Sequence, residues 1–185
     1  MAPVKVPAPG CFLVASPILQ DPNFRRTVIL LCEHDDEQGS MGIIVNRPSE
    51  LKLGETLLNA EDIVPQPLWI GGPVQPDAIV VLHRGHAVPG SKDLVDGMGI
   101  GGEEEAIVDL LQGPHAKDVR VFSGYAGWGA GQLADELAER AWLVVPARAH
   151  LVFDVLADVL WATVLRNLGP GFAYLAKLPL DPRVN

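Results

Sequence analysis

The segment VRVFSGYAGWGAGQLADELAERAWLVV, residues 119–145, carries the pattern that decides the fold class. Residues 119–123 are rich in valine and predict a β-strand, whereas the glycine-dense residues 124–131 predict a turn. Residues 132–141 predict a helix because their leucines recur at helical spacing, and residues 142–145 return as a strand. Strand, turn, helix and strand in succession indicate a sheet that packs against helices.

Upstream of this segment, short apolar runs rich in Val, Ile and Leu and bounded by turn residues predict further strands. These runs are residues 12–16, 27–34, 41–46, 68–70 and 78–84. The acidic loop between the second and third runs ends near a glycine, which predicts a hairpin. Leucines at helical spacing predict a short helix over residues 51–59, and Pro65 and Pro67 prevent it from continuing.

Strands and helices alternate in the second half of the chain. Residues 85–102 hold six glycines and predict an irregular excursion or a weak hairpin. Residues 103–112 predict a helix with three glutamates at its positive N-terminal end, and residues 155–168 predict a last helix that ends at Gly169-Pro170. The pattern alone therefore indicates a mixed α+β or α/β protein, and the length suits a single domain over residues 1–185.

The composition is that of a globular protein, with 48% hydrophobic and 20% charged residues among 185. No apolar run approaches the roughly 20 residues that cross a bilayer, and none suits a signal peptide, so we expect a soluble cytoplasmic protein without a membrane partner. The formal net charge of -9 repels a polyanion, so we expect no direct binding of nucleic acid. Two cysteines, Cys11 and Cys32, are expected to remain reduced.

Several long motifs stand in a fixed order along the chain. They are residues 16–17, 19–24, 32–34, 42–48, 71–76 and 124–133, together with His83 and Trp142. In this order they resemble the YqgE/AlgH family over about residues 12–161, and GYAGWGAGQL (124–133) is the most specific of them. The resemblance implies an α+β fold with a bifurcated mixed β-sheet, partly curled into a small barrel and flanked by about four helices. One branch of the family carries a transcription-regulator label, which supplies no mechanism.

Cys32 and His34 lie two residues apart on a predicted strand, so their side chains are expected on one face. A thiol beside an imidazole can form a nucleophile pair, with Asp21 or Asn46 to orient the ring. The alternative interpretation is that Cys32 packs in the core and His34 ends the strand beside acidic residues. We favour the interpretation that Cys32 packs in the core, so we predict no catalytic residue and keep Cys32 and His34 only as candidates.

The glycine-dense residues 124–131 precede a helix, where backbone N–H groups could hold an anion. Their spacing matches neither a dinucleotide fingerprint nor a P-loop, and Asp135 and Glu136 already lie in the first turn of the helix. We favour a structural role in which the glycines let Tyr125 and Trp128 pack. The five histidines are scattered without a ligand spacing, so the sequence predicts neither a metal site nor a cofactor.

We therefore predict a non-enzymatic module that binds an unknown small molecule or protein, with the oligomeric state left open. Gly, Pro, aromatic and amide residues dominate the motifs, and such residues shape a surface more than they perform acid–base chemistry. The predicted ligand-binding residues are Asn46, Arg47, Gln75, His83, Tyr125, Trp128 and Gln132. Two alternatives stay open: a transcription regulator that acts indirectly, and an enzyme that uses Cys32 and His34.

Overall fold

A computed structural model describes residues 6–56 and 62–177. Ten strands make up its sheet. They are β1 (Cys11–Ala15), β2 (Val28–Asp35), β3 (Gly39–Ile44), β4 (Pro48–Lys52), β5 (Pro67–Ile70), β6 (Val74–Arg84), β7 (Ser91–Asp93), β8 (Met98–Gly101), β9 (Val119–Trp128) and β10 (Trp142–Pro146). The helices are α1 (Leu53–Thr56), α2 (Glu104–Gln112), α3 (Gln132–Ala138), α4 (Ala149–Phe153), α5 (Ala157–Asn167) and α6 (Pro170–Leu175), with a 3₁₀ turn at Ala116–Asp118.

Strands β1 and β2 form the centre of the molecule because they are apolar on both faces. Phe12 and Leu13 are both fully buried, although adjacent side chains of a strand point to opposite faces. Phe12 packs in a cluster with Leu151 and Trp161 of α4 and α5, whereas Leu13 packs in a second cluster with Leu133 of α3. Helices therefore cover both sides of this part of the sheet, which explains the continuous apolar runs.

The sheet branches at β9. The strands follow the order β10-β1-β2-β3-β9-β6-β8-β7, and β5 pairs with both β4 and β9. The first half of β9 pairs antiparallel with β6 and parallel with β5, whereas its second half pairs antiparallel with β3. The result is a mixed α+β fold with a curled sheet, which confirms the predicted fold class.

The predicted elements are correct in type at most positions and wrong at two, residues 124–128 and the start of the helix 51–59. Residues 124–128 are strand rather than turn, so the turn before α3 shrinks to residues 129–131. The predicted helix 51–59 begins as β4 and continues as the short α1, and its residues 57–59 lie outside the described part of the chain. The predicted helix 155–168 is confirmed as α5, and the short helices α4 and α6 lie before and after it. The weak hairpin predicted within residues 85–102 is present as β7 and β8.

Within residues 6–56 and 62–177, none of the helices combines the length and the apolar character that crossing a bilayer requires.

Candidate functional site

A cleft of about 900 Å³ opens where the β2–β3 hairpin meets strands β6 and β9. Its floor is made of the side chains of Met41, Val74, Val80 and Tyr125, and Trp128 borders it. Tyr125 and Gly127 share one face of β9 and lie at the cleft, whereas the Trp128 side chain is on the alternate face and packs in the second core cluster, so Trp128 only borders the cleft. Clefts of this size with a mostly apolar lining are typical of sites for small organic ligands.

The rim of the cleft is polar and is supplied mainly by β2 and its turn. Nδ1 of His34 lies 2.8 Å from Oγ of Ser40, and Nζ of Lys92 lies 3.5 Å from Oε1 of Glu33. Asp35 accepts hydrogen bonds of 2.8 Å from the backbone N–H groups of residues 37 and 38. Those bonds, first from Gln38 and then from Glu37, lower the pKa of the Asp35 carboxyl. The rim therefore carries fixed carboxylates beside an imidazole.

Of the seven predicted ligand-binding residues, Tyr125 and Trp128 line this cleft. The other five are Asn46, Arg47, Gln75, His83 and Gln132, and none of them is among its lining residues. Gln75 is exposed at the start of β6 and adopts a positive φ of 45°. Two of the predicted residues therefore lie together at the cleft, and the other five lie in other parts of the described fold.

Asn46 and Arg47 hold the loop that connects β1 to β2. The Asn46 side-chain oxygen accepts a bond of 2.9 Å from the backbone N–H of Val28, and its amide nitrogen donates to the carbonyl oxygen of Arg26 at 3.0 Å. Arg47 donates to the carbonyl oxygen of Pro22 at 3.1 Å. These bonds tie residues distant in sequence together, so both side chains have a structural role in the described fold.

Glu136 organises the segment that follows β9. Its Oε2 accepts bonds from the indole N–H groups of Trp128 at 2.9 Å and Trp142 at 2.7 Å, and its Oε1 accepts from Gln132 at 2.9 Å. Oε1 of Gln132 in turn accepts from the backbone N–H of Gly129 at 3.0 Å. The backbone N–H of Gly129 and the side-chain amide of Gln132 are therefore occupied within the fold, which supports packing over anion binding. Sequence reasoning named Glu136 only as a charge at the helix start.

His83 lies in the sheet between β8 and β9 and is 2% exposed. Neither ring nitrogen has a hydrogen-bond partner in the described structure. Burial first, and then the neighbouring His86, lowers the pKa of His83, so the ring is neutral at physiological pH. A Cβ added at Gly99 would lie 2.5 Å from the His83 ring, so the glycine is what lets this ring pack in the sheet.

Cys32 and His34 do not form a nucleophile pair in this structure. A bulge between Leu31 and Glu33 interrupts the pairing of β2 with β3 at this point. Cys32 is 1% exposed and its thiol donates to the carbonyl oxygen of Leu30 at 3.3 Å, whereas His34 is bonded to Ser40. Burial, assisted by the charge of Glu33, raises the pKa of Cys32 to about 12. The thiol is therefore protonated at neutral pH, which does not suit a nucleophile.

This environment makes the reactivity of Cys32 testable. In a Cys11→Ser background, we expect iodoacetamide at pH 7.5 to label Cys32 at least 100-fold more slowly in the native protein than in urea, because the thiol is buried and protonated. Mass spectrometry of timed samples measures the two rates. Labelling of the native protein as fast as that of the unfolded chain would restore the enzyme hypothesis.

A second polar cluster lies at the opposite end of β6, where Arg84 joins two carboxylates. Its Nε donates to Oδ1 of Asp118 at 2.9 Å, and its terminal nitrogens donate to both oxygens of Asp154. His86 and His115 each approach Oδ2 of Asp118 to 3.7 Å. Burial opposes ionisation of Asp118, but the bond and charge of Arg84 outweigh it and lower the pKa of that carboxyl. Arg84 and His86 near the end of one strand, and the spacing His115-x-x-Asp118, were the signals for this cluster in the sequence.

The chain is similar to the proteins of one family along almost its whole length. The sequence profile described as AlgH-like matches residues 12–173. A UPF0301 protein of Chlorobaculum tepidum is 41% identical over 180 residues, covering 96% of this chain and 95% of the relative. A UPF0301 protein of Thermobifida fusca is 40% identical over 188 residues, covering 95% and 94% of the two chains.

Two solved structures share the fold. The crystal structure of protein DIP2367 from Corynebacterium diphtheriae has a TM-score of 0.78 at 28% identity and covers 94% of this chain and 93% of its own. The solution structure of the AlgH protein from Pseudomonas aeruginosa has a TM-score of 0.70 at 32% identity. The match covers 95% of this chain and 98% of the AlgH chain. Their names state no activity and no ligand.

Proposed function

The chain belongs to the AlgH-like family, and from that premise we propose that it is a cytoplasmic, non-enzymatic module that binds a small organic molecule in the cleft beside β9. The observation that carries this proposal is the cleft itself, with Tyr125 in its floor and the carboxylates of β2 on its rim. Apolar floors with a few fixed polar groups bind ligands by shape and orientation.

The floor supports a ligand with a flat or apolar body. Tyr125, Met41, Val74 and Val80 are all half-buried, so each keeps a part of its surface accessible to a molecule in the cleft. Covering such surface stabilises a complex by about 25 cal/mol for each Å² of apolar area removed from water. An aromatic or aliphatic body therefore supplies most of the affinity.

The rim supports a ligand that is neutral or positively charged at its edge. Glu33 and Asp35 bring carboxylates to the cleft, and the ammonium of Lys92 is close enough to Glu33 to offset one of them. The whole chain carries a formal charge of -9, so a polyanion meets a repulsive field. An amine or amide group on the ligand matches this rim, whereas a phosphate does not.

Gly127 offers a clean test because it lines the cleft and is exposed. A Cβ added there meets only ordinary contacts, at 3.5 Å from Tyr125 and 3.7 Å from Val74. We expect ligands found by a thermal-shift panel of aromatic amines and amides to shift the NMR signals of Gly127 and of the Tyr125 ring. We expect the Gly127→Val variant to bind them at least tenfold more weakly, because the added side chain occupies the cleft.

The control is Gly171→Val, since a Cβ at that glycine has no neighbour within 4 Å and lies outside the cleft lining. It is expected to keep the affinity of the unmodified chain within twofold. If no member of the panel binds, or if Gly127→Val binds as tightly as the control, the proposed function is wrong.

A regulator that acts through a protein partner is the second candidate, and one surface favours it. Ile70 and Ile79 are 43% and 48% exposed and pair with Ser123 from its two sides, so together they form an apolar strip on the sheet. Contiguous exposed apolar surface is typical of protein interaction sites. The same NMR experiment separates the candidates, because a protein partner would shift the signals of Ile70 and Ile79 rather than those of Gly127.

A further inference from the structure

Three side chains capable of binding a metal converge beside the Arg84 cluster. One ligand atom from each of His86, His115 and Asp118 lies within 4.8 Å of the other two. We propose that these three residues form a binding site for a divalent transition-metal ion such as Zn²⁺. The site is separate from the cleft beside β9, since none of the three residues lines that cleft.

The backbone explains why residues so far apart in sequence meet. His83 pairs with Val119 in the antiparallel register of β6 and β9, so the residues after β6 lie beside the residues before β9. The 3₁₀ turn Ala116–Asp118 follows His115 directly. Because a 3₁₀ helix has about three residues per turn, side chains three apart lie one above the other. His115 and Asp118 therefore share a face, and His86 is brought against that face by the register.

The distances suit a tetrahedral site after a small contraction. Nε2 of His86 and Nδ1 of His115 each lie 3.7 Å from Oδ2 of Asp118, and the two imidazole rings are 4.5 Å apart. Metal–ligand distances of about 2.0–2.2 Å place the ligand atoms of a tetrahedral zinc site about 3.3–3.5 Å from one another. The two contacts to Asp118 must shorten by a few tenths of an ångström, and the two imidazole nitrogens, within 4.8 Å of each other, must approach as well. His115, with 54% of its side chain exposed, is free to make that movement.

The surroundings hold Asp118 in the orientation that a ligand needs. Nε of Arg84 donates to Oδ1, which leaves Oδ2 directed toward the two imidazoles. Arg84 is itself fixed by two bonds to Asp154, and that carboxylate offsets the guanidinium charge beside the site. A hydrogen bond to the second oxygen of a ligating carboxylate is the usual support for such a ligand.

The donor set decides the class of metal. Two imidazoles and one carboxylate favour Zn²⁺, Co²⁺, Ni²⁺ or Cu²⁺ over the hard cations Mg²⁺ and Ca²⁺, which prefer oxygen ligands alone. Three protein ligands leave a fourth position for water or for an added group. Because His115 is more than half exposed, that position faces solvent.

The test is titration of the tag-free chain with ZnCl₂ at pH 7.5 by isothermal calorimetry, with Co²⁺ absorption as a second readout. We expect one saturable Zn²⁺ site and a tetrahedral Co²⁺ spectrum. His115→Ala and His86→Ala are each expected to weaken Zn²⁺ binding at least tenfold, because each removes one of three ligands. The matched control is His150→Ala, an exposed histidine outside the cluster, which is expected to bind within twofold of the unmodified chain.

Folding of each variant is checked by circular dichroism, and His115→Ala serves as the variant least able to disturb the fold because its side chain is half in solvent. The proposal is wrong if the unmodified chain shows no saturable Zn²⁺ binding, or if a folded His115→Ala variant binds Zn²⁺ as tightly as the unmodified chain. It is also wrong if His150→Ala loses as much affinity as His115→Ala. None of these results bears on ligand binding in the cleft, so the two proposals fail separately.

Discussion

Replacing Gly124 with alanine is expected to remove about 3–5 kcal/mol from the free energy of unfolding, combining backbone strain with overpacking. Gly124 has a φ of +68°, which an L-residue adopts only with strain. A Cβ there would lie 2.4 Å from the carbonyl oxygen of Gly72 and 3.0 Å from that of Val74. Both are backbone atoms of the paired segment, so the clash can be relieved only by moving β6 away from β9.

Gly131→Ala is the matched control for this substitution. Gly131 has a similar φ of +72°, but a Cβ there has no neighbour within 4 Å. It therefore incurs the backbone strain alone, and we expect a loss of about 1–2 kcal/mol. Urea denaturation followed by circular dichroism measures both values. Equal losses in the two variants would show that a Cβ at position 124 fits without a clash, and the prediction would be wrong.

The strands and helices that the sequence predicted well are those whose burial is decided by their own residues. Strands β1 and β2 are apolar at every position that faces either core, so any packing of the sheet buries them. Helix α2 has glutamates at its start, Ile107 and Leu111 on one face, and Gly113 at its end. In such segments local pattern and tertiary environment agree, and the pattern is sufficient.

The second half of β9 could not be predicted because its conformation depends on another segment. Glycines usually weaken a strand, so residues 124–128 read as a turn. In the structure, a Cβ at Gly71 would lie 2.2 Å from the carbonyl oxygen of Gly124, so these glycines are required where two backbones nearly touch. That contact joins residues far apart in sequence, and no single-segment pattern contains it.

The residues of the candidate site also divide into those that a local motif indicates and those that depend on contacts between distant segments. Tyr125 and Trp128 were predicted because the motif that contains them is specific, but the rest of the cleft comes from a hairpin whose position depends on the sheet order. The metal cluster was missed because His86 reaches Asp118 only through the register of β6 with β9. Asn46 and Gln132 have the polar side chains typical of ligand contacts, yet in the fold they satisfy backbone and side-chain partners.

Replacing Glu136 with alanine is expected to lower the free energy of unfolding by about 2–4 kcal/mol, because two charge-assisted hydrogen bonds are lost and their donors are left without an acceptor. The donors are the indole N–H groups of Trp128 and Trp142, whose side chains are only 6% and 4% exposed. Water cannot readily replace the carboxylate at both positions. Tryptophan fluorescence during urea denaturation measures the loss, and the native emission is expected to shift as the two rings loosen.

Glu139→Ala on the same helical segment is the control, because that side chain is exposed and its removal is expected to change stability by less than about 0.5 kcal/mol. Glu136→Gln is expected to fall between the two, since the amide keeps one acceptor oxygen but loses the charge. The loss in unfolding free energy is therefore expected to be largest for Glu136→Ala, smaller for Glu136→Gln and smallest for Glu139→Ala, because the variants differ in the hydrogen bonds that they keep. A Glu136→Ala variant as stable as the control would mean that the packing of Trp128 against Trp142, with ring centroids 6.0 Å apart, holds α3 on the sheet without the carboxylate.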